Sequence, residues 1–196
     1  MEMNAGLNRI VFMDRDGVIN RDSPDYIKGW SEFEFLPGSL EAMAHLTRNG
    51  FRIIIVTNQS IINRGMVRPA ILDDMFRRMT QAVREAGGDI LDIFFCPHRP
   101  EEDCDCRKPR TGMLQKARRI HGLDLSRTYM VGDNAKDIEC ARNAGCGSAI
   151  LVLTGSGLEA VGILERKGIR PDHVAADLLA AARWITGGGM EGETRS

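Results

Sequence analysis

No stretch of this 196-residue chain is apolar for long enough to span a bilayer. Residues 1–8 lack the basic start and apolar core of a secretory signal. The formal net charge is -1, so there is no basic excess to draw the chain to nucleic acid or to an anionic membrane. Aromatic residues are 6% of the total, and Trp30 and Trp184 stand in no repeating pattern that would stack bases. There is no internal repeat and no heptad seam. These absences lead us to expect a cytoplasmic monomer that works without nucleic acid or membrane. A disulfide framework is also disfavoured, because the five cysteines are odd in number and three of them are clustered.

What is present is an alternation. Hydrophobic residues at 43% and charged residues at 27% are the balance of a globular protein. Short β-branched and apolar runs occur at 9–13, 51–57, 90–96, 129–132, 148–153 and, more weakly, 173–176. Several are apolar on successive positions, which suits parallel strands covered on both faces. Between them lie helical patterns at 39–49, 69–86, 112–121, 135–143, 158–167 and 178–184. Ser39 reads as the cap of the first, and Gly87-Gly88 stops the second. The expected fold is α/β, a doubly wound and mainly parallel sheet with helices on both faces. One domain is expected over 1–186, and the glycine-rich 187–196 stretch reads as a disordered tail. In such sheets ligands bind beyond the carboxyl ends of the strands, so chemistry is sought there.

Asp14-Arg15-Asp16-Gly17 follows the first strand directly. Two carboxylates two residues apart project to one side of an extended segment and repel unless a cation or a shared proton intervenes. Mg²⁺ suits them, since it prefers oxygen ligands and keeps room for substrate phosphate. Alone the motif is a polar turn, and its weight comes from three companions. Thr57-Asn58-Gln59-Ser60 closes the second strand and offers a hydroxyl and backbone N–H groups to phosphate oxygens. Lys108, in Arg107-Lys108-Pro109, can neutralise charge on a transferring phosphoryl group. Asp133, in Gly132-Asp133-Asn134, is a third Mg²⁺ ligand or a helix cap.

Cys96, His98, Cys104 and Cys106 form a Cys₃His set. Four protein ligands make a closed site, which points to structural rather than catalytic Zn²⁺. The alternative, unrelated buried or solvated thiols, fits poorly because the intervening Arg-Pro-Glu-Glu-Asp is too polar for core. Arg107 and Lys108 follow the last ligand, so the metal would anchor residues that meet phosphate. Cys140 and Cys146 lack such spacing and read as core or helix residues.

MDRDGVIN, VTNQS, CRKP and VGDNAKD together resemble the four motifs of the haloacid dehalogenase-like phosphatases, over nearly the whole chain. The resemblance implies that Asp14 attacks phosphorus to form an aspartyl-phosphate. It implies that Asp16 protonates the leaving alcohol and then deprotonates water. It gives Thr57 and Lys108 the phosphoryl oxygens, and it gives Mg²⁺ to Asp14, the backbone carbonyl of Asp16, and Asp133. With CPH…CDCRKP added, the chain resembles the zinc-containing D,D-heptose 1,7-bisphosphate phosphatases and, at lower weight, the histidinol-phosphate phosphatases. Both lack a large cap domain and recognise substrate with loops. The implied contacts here are residues 20–26, Thr57, Asn58, Gln59, Ser60, Arg107, Lys108 and Asn134, and the implied partner is a small sugar bisphosphate, cleaved at its 7-phosphate.

The chain departs from the heptose pattern at three places. Asn134 stands where lysine is usual, Ile61 stands where glycine is usual and adds bulk near the pocket, and the 22–26 loop is one residue longer. Arg64 and Arg107 are available for a second phosphate. Asp137 reads equally as support for the magnesium shell or as helix surface. His45 reads as a helix-face residue, His121 as a helix-end cation, and His173 as a strand start. A reading from another class, a zinc-stabilised binding module with an idle site, is opposed by the mutually repelling Asp14, Asp16 and Asp133.

Overall fold

The computed structural model describes residues 9–188, and the end of the expected tail, 189–196, lies outside them. Six strands, β1 Ile10–Met13, β2 Arg52–Asn58, β3 Ile90–Cys96, β4 Tyr129–Gly132, β5 Ser148–Val152 and β6 His173–Ala175, form one sheet in the order β3-β2-β1-β4-β5-β6. Every neighbouring pair is parallel. Five helices connect them, α1 Ser39–Arg48, α2 Pro69–Glu85, α3 Gly112–His121, α4 Ala135–Ala144 and α5 Gly157–Lys167, and α6 Leu178–Thr186 follows β6.

The apolar runs read as strands because both faces are covered. Val11 and Met13 of β1, with Ile53 and Ile55 of β2, pack on one side against Met43 and Leu46 of α1, Leu72 and Met79 of α2, and Leu178 and Ala181 of α6. The alternate residues Ile10, Phe12, Ile54 and Val56 pack on the other side against Leu114 of α3, Ile138 of α4 and Leu164 of α5. A period of two thus divides each continuous run between two cores. The sequence steps from β1 out to β3 and then returns to β4 on the other side of β1. The connections leaving β1 and β4 diverge at this reversal and open a crevice between neighbouring strand ends.

The connection after β1 runs over 14–38, where Trp30, Phe33 and Phe35 pack ring against ring with centroids 5.0–6.3 Å apart. Among the described residues there is no large cap domain, and the connection from β3 to α3 carries the cysteine loop. One expected detail is corrected. Ser39 is not the cap of α1 but its first helical residue, and Gly38, at φ 78, occupies the cap position. The left-handed turn there needs glycine, and Ser39 Oγ is buried without a hydrogen-bond partner.

Candidate active site

The ends of β1, β2 and β4 and the loop before α3 converge on one cleft of about 300 Å³. Asp14 follows β1, and its backbone N–H donates to Val131 O of β4 at 3.0 Å, which ties the acidic turn to the neighbouring strand. Asp14 Oδ2 lies 3.0 Å from Lys108 Nζ, and the same ammonium lies 2.6 Å from Asp137 Oδ1. The ligand oxygens of Asp14, Asp133 and Asp137 all fall within 4.8 Å of one another.

Burial drives the electrostatics of this cluster. It pushes the Asp14 carboxyl up to about 7, with Lys108 opposing and Asp137 and Asp16 reinforcing. It pushes Asp133 up to about 8, with Asp137 and Asp14 reinforcing. Burial alone would lower Lys108, but Asp137 and Asp14 outweigh it and hold the ammonium above its ordinary value. When all are ionised, the five carboxylates of the cleft (Asp14, Asp16, Asp22, Asp133, Asp137) outnumber its four cations (Arg15, Arg107, Lys108, Lys136), a balance that repels a phosphate. A divalent cation reverses that sign. The oxygen donor set, its spacing and its unmet repulsion all fit Mg²⁺.

Asp16 is arranged differently from Asp14. Its carboxylate is not in the metal cluster, which leaves its backbone carbonyl as the implied ligand. Arg15 grips it from Nε at 3.0 Å and from Nη2 at 2.6 and 2.7 Å, Asn20 Nδ2 donates at 2.9 Å, and Gln59 Nε2 donates at 2.8 Å. Burial pushes this carboxyl up, yet Arg15 and the hydrogen bonds outweigh burial and hold it below the usual carboxylate range. Arg15 is itself 1% exposed, with its guanidinium 6.0 Å from the centroids of both Phe33 and Phe76. Nothing in the local pattern marked Arg15, because what buries it is tertiary packing.

The strand-end loop after β2 divides its work. Thr57 is buried in the cleft wall, and its Oγ1 accepts from Gln59 Nε2 at 2.9 Å. Asn58 donates from Nδ2 to Lys108 O at 3.3 Å and accepts at Oδ1 from Lys108 N at 3.1 Å, so it holds the backbone of the lysine. Ser60 is among the expected substrate contacts but does not line the cleft. It is buried, and its backbone O accepts from Arg64 N at 2.9 Å. Arg64 also stays out of the cleft and lies 5.8 Å from the centre of the Tyr26 ring. Ile61 adds no bulk to the pocket, since its side chain is buried and off the cleft wall.

Asp133 is held at the end of β4 by two glycines. A Cβ on Gly17 would lie 2.1 Å from Asp133 Oδ2, and one on Gly155 would lie 2.2 Å from it. Both glycines have positive φ. Ser156 N donates to Asp133 Oδ2 at 2.7 Å, and Thr154 Oγ1 donates to Gly17 O at 2.6 Å. The loop 154–156 belongs to none of the sequence motifs and joins the site only through the fold. Asp137 is not helix surface. It is 1% exposed, pairs with Lys108, and accepts from Asn134 N at 3.0 Å in a capping box. Asn134 lines the cleft while its Oδ1 caps α4 by accepting from Lys136 N at 3.2 Å.

Cys96 Sγ lies 3.5 Å from both His98 Nδ1 and Cys104 Sγ. Cys106 Sγ lies 3.3 Å from His98 Nδ1 and 3.5 Å from Cys104 Sγ. Donors about 2.0–2.3 Å from a tetrahedral zinc stand roughly 3.5–3.8 Å apart, so the four atoms fit the edges of a structural Zn²⁺ site. Arg107 Nη1 donates to His98 O at 3.1 Å, which joins this loop to the cleft. The remaining histidines have other partners: His45 bonds Thr186 Oγ1 at 2.8 Å, His121 pairs with Asp92 at 2.9 Å, and His173 stacks on Trp184. Cys140 and Cys146 are buried in the core.

A family profile described as HAD-hydrolase-like matches residues 105–181. The D-glycero-beta-D-manno-heptose-1,7-bisphosphate 7-phosphatase of Pseudomonas aeruginosa is 44% identical over 78% of this chain and 85% of its own length. The enzyme of the same name from Pseudomonas putida is 40% identical over 88% and 96%. The crystal structure of D,D-heptose 1,7-bisphosphate phosphatase from B. bronchiseptica, complexed with magnesium and phosphate, superposes with a TM-score of 0.86 at 37% identity. It covers 91% of this chain and 98% of that one. The strand-end motifs, the sheet and these relatives agree, and the chain belongs to the haloacid dehalogenase-like hydrolases, in the group of the heptose-bisphosphate phosphatases.

Proposed function

We propose that this protein is a Mg²⁺-dependent phosphomonoesterase that removes the 7-phosphate of D-glycero-D-manno-heptose 1,7-bisphosphate through an aspartyl-phosphate on Asp14. The observation that carries the proposal is Asp14 at the carboxyl end of the central strand, 3.0 Å from a buried ammonium and clustered with Asp133. Relatives named for that reaction, matched over most of their length, support the choice of ester.

In the first step an Asp14 oxygen forms a bond to phosphorus while the bond from phosphorus to the sugar oxygen breaks. Asp16 delivers a proton to that oxygen. Since Arg15 holds Asp16 ionised in the free protein, this proton is taken up as the ester binds. In the second step water attacks the aspartyl-phosphate, Asp16 accepts the proton, and inorganic phosphate leaves with Asp14 regenerated. Lys108 and Thr57 hold the phosphoryl oxygens, with Asn58 and Gln59 positioning those two groups. Bound by Asp14, Asp133 and the Asp16 carbonyl, Mg²⁺ would supply the positive charge that lets an anionic carboxylate meet an anionic ester.

The reading extends to a cytoplasmic monomer acting on a soluble sugar phosphate. Four clustered donors that need reduced thiols favour a reducing compartment. Among the described residues, no helix is long and apolar enough to cross a membrane. The test is magnesium-dependent phosphate release from a panel of the heptose bisphosphate and histidinol phosphate, with Asp14→Asn alongside. The bisphosphate is expected to lead in kcat/KM, and Asp14→Asn is expected to lose at least about a thousandfold. A leading histidinol phosphate would replace the substrate, and an active Asp14→Asn protein would end the mechanism.

A further inference from the structure

The cleft holds four cations, and they are not equivalent. Arg15 is taken up by Asp16, and Lys108 by Asp14 and Asp137. Arg107 donates to a neutral carbonyl, His98 O, and makes no ion pair among the described residues. Lys136 lines the same cleft, is exposed, and its ammonium has no carboxylate partner among the described residues.

The place of Lys136 is also unfavourable for a merely structural lysine. It is the second residue of α4, capped by Asn134, so its charge sits at the positive end of the helix dipole. Asp137, in the same turn, obeys the usual preference for acidic groups at that end, and Lys136 breaks it. A residue that violates a local rule without a compensating contact, on the wall of a cleft, is where function is sought.

We infer that Lys136, together with Arg107, receives the second anionic group of the substrate, the phosphate that is not cleaved. Lys136 is then a specificity-determining residue: it selects bisphosphates over monophosphates without touching the reacting phosphorus. The inference rests on the proposed sugar-bisphosphate reading and names the side chain that makes the choice. Asn134, drawn into the helix cap, offers no charge for this purpose.

The experiment compares wild type, K136M and K136R on heptose 1,7-bisphosphate and heptose 7-phosphate. Turnover gives the ratio of kcat/KM for the two esters. Inhibition of p-nitrophenyl phosphate hydrolysis by each gives the ratio of their Ki values, and neither ester has to be cleaved for that. We expect K136M to lower the bisphosphate preference about tenfold in both ratios, through KM rather than kcat. K136R restores it, and added salt erodes the wild-type preference. An unchanged ratio in K136M, an equal loss on both esters, or a wild type without bisphosphate preference in the inhibition assay overturns the inference. Absence of heptose turnover with the Ki preference intact and lost in K136M instead overturns the assigned substrate and leaves the role of Lys136 standing.

Discussion

Magnesium should stabilise this protein far more at pH 8 than at pH 5.5, because two buried carboxyls titrate between those values. Asp14 rises from 3.8 to about 7 and Asp133 from 3.8 to about 8 on folding, mainly through burial. Between the unfolded and folded values the native state holds more protons than the unfolded chain. The stability these groups allow is therefore fully present below about pH 4 and is lost as pH climbs towards 8. For Asp14 alone the loss is roughly 4 kcal/mol at 1.36 kcal/mol per pH unit. Asp133 feels the same field, so the two losses overlap. Magnesium at a hundred times its Kd returns about 2.7 kcal/mol, or roughly 5–10 °C in Tm for a chain of this size. At pH 5.5 both carboxyls are largely protonated, so the ion must displace their protons and the shift shrinks. Thermal unfolding of zinc-replete, magnesium-free protein with and without added Mg²⁺ at both pH values measures this. A Mg²⁺ shift equal at the two pH values, or a slope against pH that is undiminished in Asp133→Asn, would refute the reasoning.

Three further outcomes follow from the same geometry. Asn58→Ala removes both hydrogen bonds to the Lys108 backbone; kcat should fall about tenfold or more for lack of positioning, with a change in stability of only about 1–2 kcal/mol by chemical denaturation. Gly155→Ala forces a left-handed φ on alanine and puts a methyl against Asp133; Tm should drop by several degrees and the magnesium-induced shift should disappear. Elemental analysis should find about one zinc per chain, and Cys104→Ser should lower both zinc content and protease resistance of the 97–107 loop.

Much of the fold could be read because parallel strands buried on both faces leave apolar runs, and each run lies between capped helical patterns. The bounds of β3, β4 and α3 coincide with the expected ones. α6 runs two residues past its expected end because Ile185 still packs in the core. The strand-end motifs were visible as residue types at strand ends, and the structure brings Asp14, Asp16, Thr57, Lys108 and Asp133 to one cleft. Pairings across the chain were not visible. Arg15 has no mark in the sequence, and only the fold places its guanidinium against Phe33 and Phe76. Asp137 becomes a buried partner of Lys108 only when α4 docks, and the Ser60 hydroxyl accepts from Arg64 Nε rather than lining the cleft. Lys136 carries no signal in the sequence, since only tertiary geometry shows which cations in a cleft remain unpaired.

The two glycines around Asp133 have a consequence for how such a protein can change over generations. A methyl at either one displaces the carboxylate itself, and no second substitution nearby can restore the lost room without removing the group it was meant to accommodate. Gly17 and Gly155 are thus sterically locked to Asp133, although they stand on loops far apart in the chain. The 22–27 loop and position 136 line the same cleft without meeting Asp133 in this way, so a change of side chain there leaves the carboxylate its room. Descendants of this chain can acquire a new alcohol while the phosphorus chemistry stays as it was.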